Sequence, residues 1–224
     1  MDNTIRWGIL GCGNIANKFA ADLQMLSGSA IHAVASRDLA RAQYFGKKYT
    51  ANKTYSNYTD LVNDPDLNVI YVATTHNFHY EHAALCLAAN KPVLCEKPMC
   101  VNSKEAQKLV NLSRHKNIFL MEAMWTHFLP AVIRLKKDIE SGIIGTPQLV
   151  QADFGITKAP EAGSRFYEKK LAAGALLDLG IYTINFSNIV FGSQPKGISG
   201  YAQFTDQGVD RLSTYSLISV SYTH

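Results

Sequence analysis

Four short stretches carry residue types at spacings that can do chemistry: "GILGCGNIA" (Gly11, Gly13, Ala16), "THNFHYEH" (His76, His79, His82), "CEKP" (Glu96, Lys97) and "GALLDLGIYTIN" (Asp178, Tyr182). The first has the G-x-G-x-x-A pattern directly between a strand-like and a helix-like run. Its first glycine permits a tight turn, its second leaves backbone bare where a pyrophosphate approaches, and its small third residue lets helix pack on strand. A helix N-terminus there offers free N–H groups to phosphate, so Gly11, Gly13, Asn14, Ile15 and Ala16 are assigned to dinucleotide binding.

About twenty residues on, an NAD site usually places an acid at the end of the second strand to bind the ribose 2′-OH. Here that strand ends "VASRD". Ser36 and Arg37 offer a hydroxyl and a guanidinium suited to a 2′-phosphate, which favours NADP over NAD; Asp38 keeps NAD open. The three histidines lack a carboxylate or cysteine to complete a ligand set, so no metal is expected. Thr74, Thr75 and Asn77 instead follow a strand end, where an open α/β sheet lines its ligand crevice, and His79 either holds that loop or begins the next helix.

"CEKP" occupies the same rim one strand further along. In a partly dehydrated crevice Lys97 can shift its pKa or donate to a substrate hydroxyl, Glu96 can neutralise or orient it, and Pro98 keeps the backbone from turning at once into helix. Asp178 and Tyr182 share a helix face beside an apolar stripe of Leu177, Ile181 and Ile184. An aspartate there is costly to bury unpaired, so the pair reads either as functional or as an Asp bonded to a neighbouring loop.

These residues need a scaffold. In the first half, β-rich runs ("IRWGIL", "IHAVAS", "VIYVAT", "PVLCE", "NIFLME") alternate with helical spacing such as Ala16, Phe19, Ala20 and Leu23. That beat predicts a doubly wound parallel sheet, a Rossmann domain over residues 1–122. "NSKE" at Asn102–Glu105 is a capping-box-like helix start. Past Glu122 the beat changes to a helix over Leu129–Ser141, an extended "TPQLVQADFGI", an apolar helix over Leu171–Phe191 and two β-like segments. Residues 123–224 therefore read as an α+β domain with a mostly antiparallel sheet, and a last segment stopping inside a strand suggests truncation at the C-terminus.

Composition narrows the function classes. The net charge of +4 comes from 22 basic and 18 acidic residues spread over 224, without the basic stripe that nucleic acid requires. Apolar runs read as strand-sized and interrupted, and "MDNTIRWG" has no signal-peptide core, so neither membrane nor export is expected and the location is expected to be cytoplasmic. Cys12, Cys86, Cys95 and Cys100 form no CxxC pair and read as reduced structural thiols.

"GILGCGNIA", "THNFHYEHAALCLAANKPVLCEKPM" and "GALLDLGIY", in that order, resemble the glucose-fructose oxidoreductase / inositol dehydrogenase (Gfo/Idh/MocA) family, most closely its dimeric dihydrodiol dehydrogenase branch, to which "EAMWTHFLP" adds. The resemblance implies an oxidoreductase moving hydride between a nicotinamide and a carbinol carbon of a cyclic diol, sugar or polyol, working as a homo-oligomer, a dimer. Lys97 and Asp178 carry over as catalytic-site residues, and Tyr182 stands where sugar-acting members have His. Two departures stand out: "LAAGALLD" replaces the usual "GGGALLD", and members of the family are longer.

On that basis Tyr182 is the expected acid/base. A phenol of ordinary pKa near 10 needs a cation at about 4–6 Å to favour its phenolate; Lys97 is that cation, and Asp178 orients one of the two. Trp125, Phe128 and Phe154 either wall the substrate or pack a domain or subunit junction. The alternatives are a nucleotide-binding sensor without chemistry and an inactive truncated form.

Overall fold

The computed structural model describes residues 4–157, 163–192 and 194–218, and the chain divides into two compact units, Met1–Ala123 and Met124–His224. The first is built from β1 (Ile5–Leu10), α1 (Asn14–Leu23), β2 (Ser29–Ala35), α2 (Leu39–Lys48), β3 (Lys53–Tyr55), α3 (Tyr58–Val62), β4 (Val69–Val72), α4 (His79–Ala88), β5 (Val93–Cys95), α5 (Ser103–Lys116) and β6 (Leu120–Glu122). Its six strands are all parallel in the order β3-β2-β1-β4-β5-β6. Chain order reverses between β1 and β4, which opens the crevice at their carboxyl ends where such sheets hold dinucleotides.

The strands read as apolar runs because helices cover both faces. Leu10, Ile70, Val72, Val93 and Leu109 pack one core layer, while Ile9, Ala20, Val34, Phe45 and Tyr71 pack the other. Alternate residues of β1 thus serve opposite layers. β3 and α3 escape a periodicity reading because they span three and five residues. Asn57 nevertheless marks the start of α3, accepting from Asp60 N at 2.8 Å, as Asn102 marks α5 by accepting from Glu105 N at 2.9 Å.

The second unit holds a 3₁₀ turn (Trp125–Phe128), α6 (Pro130–Glu140), a 3₁₀ turn (Lys169–Leu171), a π turn (Leu176–Gly180), α7 (Ile181–Phe191), β7 (Gly197–Phe204) and β8 (Asp210–Ile218). The last two strands pair antiparallel. The extended "TPQLVQADFGI" joins no ladder among the described residues, and Leu149 is 75% exposed; an extended segment becomes a strand only with a partner.

Nor is Leu171–Phe191 one helix. Ala172 (φ 54°) and Gly174 (φ 137°) interrupt it, and the helical path restarts where Leu176 N donates to Asp210 Oδ2 at 2.7 Å. A Cβ on Gly174 would run into the Asp210 carboxylate, so the backbone at this point of "LAAGALLD" calls for a glycine. The expectation that no stretch reaches bilayer length is also amended: Lys169–Phe191, at 23 residues, is long and apolar enough by length and composition alone. Its backbone breaks and the charge of Asp178 lie within it.

Candidate functional site

In the first unit the glycine loop is shaped for a phosphate. Gly11 adopts φ 101°, where a Cβ would come 2.9 Å from Ala73 O; only glycine fits that turn. Gly13 is extended, and a Cβ there would meet only Ala73 O, at 4.0 Å, so the space above it is open. Gly13 is also the N-cap of α1 and supplies no side-chain cap. The first N–H groups of α1, from Asn14, Ile15 and Ala16, are therefore left for an external acceptor, an arrangement that fits a dinucleotide pyrophosphate. Cys12 lies between the glycines, its thiol pushed up to about 11 by burial while the Arg41 charge pulls the other way.

At the end of β2 the three candidate polar residues have separate tasks. Asp38 caps α2 by accepting from Arg41 N at 3.2 Å, and Ser36 Oγ accepts from Asp38 N at 3.2 Å. Arg37 lays its guanidinium 5.6 Å from the Phe78 ring centre. The sequence reading passed over Arg41; its signal was its place in the first turn of a helix capped by the strand-end acid.

The loop after β4 is held by histidines. Thr75 Oγ1 donates to Asn77 Oδ1 at 2.8 Å, and Thr74 Oγ1 lies 3.0 Å from His82 Nδ1. His79, 1% exposed, both begins α4 and holds the loop: its nitrogens lie 2.7 Å from Pro98 O and 3.0 Å from Thr74 O. Burial keeps its pKa below the ordinary histidine value.

Glu96 is buried at the end of β5, and burial raises its pKa. Its Oε1 accepts from Tyr71 Oη and its Oε2 from Lys97 N at 3.2 Å. Lys97 follows at a cis bond to Pro98. Sequence reasoning missed the neighbouring carboxylate, Glu122, which ends β6 in register with Cys95 and accepts from Met99 N at 2.7 Å. Repetition of a strand-end glutamate on adjacent strands was its signal. The only described group with metal-ligand proximity lies elsewhere, at His32, Asp64 and Asp66, and Lys53 Nζ already sits 3.0 Å from Asp64 and 2.8 Å from Asp66 there.

In the second unit the π turn and α7 carry the remaining candidates. Arg165 Nη2 lies 3.5 Å from Asp178 Oδ2, a partner that no sequence signal announced. Tyr182 sits between two aromatics: Trp125 Nε1 donates to its Oη at 3.0 Å, and the Phe154 ring stands edge-on at 5.5 Å. These three side chains, with Val132, Phe186 and Ile189, line a cavity of about 290 Å³, near the lower end of small-ligand pockets. Phe128 is outside that lining and 61% exposed. Below the cavity, Tyr215 Oη and Thr183 Oγ1 each donate to Gly180 O at 2.8 Å, which fixes the junction of π turn and helix.

Comparisons with known proteins agree with both units. The family model for an oxidoreductase family with an NAD-binding Rossmann fold, GFO_IDH_MocA, matches residues 5–124, and that for the GFO/IDH/MocA C-terminal domain matches residues 132–220. Trans-1,2-dihydrobenzene-1,2-diol dehydrogenase of Mus musculus is 42% identical over 211 residues, 92% of this chain and 62% of that protein. The chain thus spans just under two thirds of the length of that relative. A 3-ketoreductase from Actinomadura kijaniata, solved with NADP and TDP-benzene, aligns at TM-score 0.81 and 26% identity over 98% of this chain and 72% of its own. An aldose-aldose oxidoreductase from Caulobacter crescentus shares the fold at TM-score 0.88 and 22% identity, over 96% of this chain and 68% of its own.

Proposed function

The chain belongs to the GFO/IDH/MocA oxidoreductase family, and from that premise we propose that it takes part in hydride transfer between NADP and a carbinol carbon of a cyclic diol, sugar or polyol, with Tyr182 as acid/base and Lys97 as its supporting cation. The observation that carries this reading is the Tyr182 phenol, held by an indole N–H on the wall of an apolar cavity. Such a cavity suits the apolar face of a ring while the few polar groups on its wall, Tyr182 and Asp153 among them, meet its hydroxyls. The diol named in the Mus musculus relative supports that substrate class.

The nicotinamide supplies the hydride chemistry when bound. The chain's own residues bind and position. The α1 N-terminus takes the pyrophosphate, Gly13 leaves it room, and Glu96 and Lys97 stand at the strand-end rim. NADP is favoured because Asp38 is engaged in capping α2, whereas the Arg37 guanidinium lies over the Phe78 ring just beyond the end of β2. Asp178 keeps its charge compensated by Arg165 and orients the turn that presents Tyr182.

Self-association through the β7–β8 sheet is part of the proposal, supported by the exposure of Ile198, Tyr201 and Phe204. A cytoplasmic location is supported by four free cysteines, which suit a reducing compartment. Reduced-cofactor absorbance, followed with the purified protein against cyclic diols, pentoses, hexoses and inositols, tests the activity. Lys97→Met and Tyr182→Phe should each lower turnover by about 10²-fold or more with NADP affinity little changed. Wild-type turnover in both would refute the assigned roles.

A further inference from the structure

Helix α7 and the Trp125–Phe128 turn are joined by three side-chain hydrogen bonds. Trp125 Nε1 donates to Tyr182 Oη at 3.0 Å. One helical turn further, Asn185 uses both ends of its amide on the same turn. Its Oδ1 accepts from His127 Nε2 at 2.8 Å, and its Nδ2 donates to Thr126 Oγ1 at 3.0 Å. Residues three apart share a helix face, so Tyr182 and Asn185 grip consecutive residues of one short turn. Burial does not hold that turn in place, since Trp125 is 53% and Phe128 61% exposed.

We propose that Asn185 is a positioning residue for Tyr182: by fastening Thr126 and His127 to α7 it keeps the Trp125 indole N–H on the phenol oxygen, and so favours the phenolate. The proposal rests on the reading of Tyr182 as acid/base. An indole nitrogen is a donor only, so Tyr182 Oη must accept in this bond. A hydrogen bond donated to the charged form of a group favours that form. The rings meet at 70° with centres 6.1 Å apart, so the contact runs through the N–H and not through stacked faces.

Among the described residues, the titratable groups near this arrangement include Asp178 with Arg165 on it, Asp153 on the cavity wall, His127 at the far side of Asn185, and Tyr215 beneath Gly180. Only His127 loses a partner when Asn185 is replaced. Its effect is separated by comparing Asn185→Leu with Trp125→Phe, which removes the indole donor and leaves His127 in place.

The test is an alkaline titration of near-ultraviolet phenolate absorbance, taken for each protein as the difference from its Tyr182→Phe counterpart so that the other tyrosines cancel. Asn185→Leu and Trp125→Phe should each move the midpoint of this difference absorbance to higher pH, and the double variant should go no further than Trp125→Phe alone. A titration unmoved by Asn185→Leu, or a double variant that shifts by the sum of the two, overturns the proposal. Should Asn185→Leu fail to fold, Thr126→Val with His127→Phe breaks the same two bonds from the other side and is read the same way. Full turnover in Tyr182→Phe would instead remove the acid/base reading and leave the hydrogen-bond chain standing.

Discussion

The imidazole Nδ1 of His79 lies 2.7 Å from the carbonyl oxygen of Pro98, joining the loop after β4 to the loop that carries Glu96 and Lys97. The other nitrogen faces Thr74 O at 3.0 Å, so one buried ring determines the spacing of two rim loops. The neutral imidazole carries one N–H, so His79→Leu leaves one of the two carbonyls without its donor and should lower stability by about 1–3 kcal/mol. NADP affinity should fall with it, because the rim would loosen. Thermal melting and a cofactor titration check this, and an unchanged melting temperature would show that the ring is not what holds the loops.

The next turn of α4 gives the first unit a pH dependence. His82 is 7% exposed between the Tyr58 and Phe78 rings, and burial, then the His79 and Arg37 charges, bring its pKa from 6.5 to about 4. Between those values the unfolded chain takes up a proton that the folded chain refuses. Stability is therefore full above 6.5, falls as pH drops towards 4 and levels off below it, by on the order of 1 kcal/mol per pH unit at most. His82→Phe should flatten the fall of melting temperature over that interval. An unaltered slope would mean that other groups govern acid sensitivity.

How much of this the sequence disclosed depended on whether the cause was local. The glycine loop, the strand-end glutamate and the Asn102 cap each follow from a few adjacent residues, and the parallel sheet follows from apolar runs repeated five times. Gly174 and Asp210 meet across 36 positions, so the break at Leu171–Phe191 left no local trace. Arg165 on Asp178 and Asn185 on Thr126 are likewise tertiary facts. "TPQLVQADFGI" reads as extended from its local pattern, and whether such a stretch joins a ladder depends on a neighbour that the pattern does not name.

Cofactor preference should turn on Arg37 and not on Asp38. Losing a charged hydrogen bond to a 2′-phosphate costs about 1.5–3 kcal/mol, so Arg37→Ala should weaken NADP by roughly 10- to 100-fold and NAD little. Asp38→Ala should remove the cap of α2, costing about 0.5–2 kcal/mol in melting while leaving the NAD to NADP ratio nearly unchanged. Paired affinity measurements decide it. A selective loss of NAD binding in Asp38→Ala would assign the ribose to the acid.

The two glycines of the loop should respond differently to the same added methyl. At Gly11 the backbone sits at φ 101° and a Cβ would press within 2.9 Å of Ala73 O, so Gly11→Ala should destabilise the first unit by about 1–3 kcal/mol. At Gly13 the backbone is extended and the nearest atom to a Cβ is 4.0 Å away, so Gly13→Ala should melt within about 0.5 kcal/mol of the parent. That methyl would nevertheless fill the space where the pyrophosphate meets the α1 N-terminus, and NADP affinity should fall about tenfold or more. A Gly13→Ala protein that folds and binds NADP like the parent would show that the phosphates do not pass over Gly13, and the glycine loop would then be a turn and nothing else.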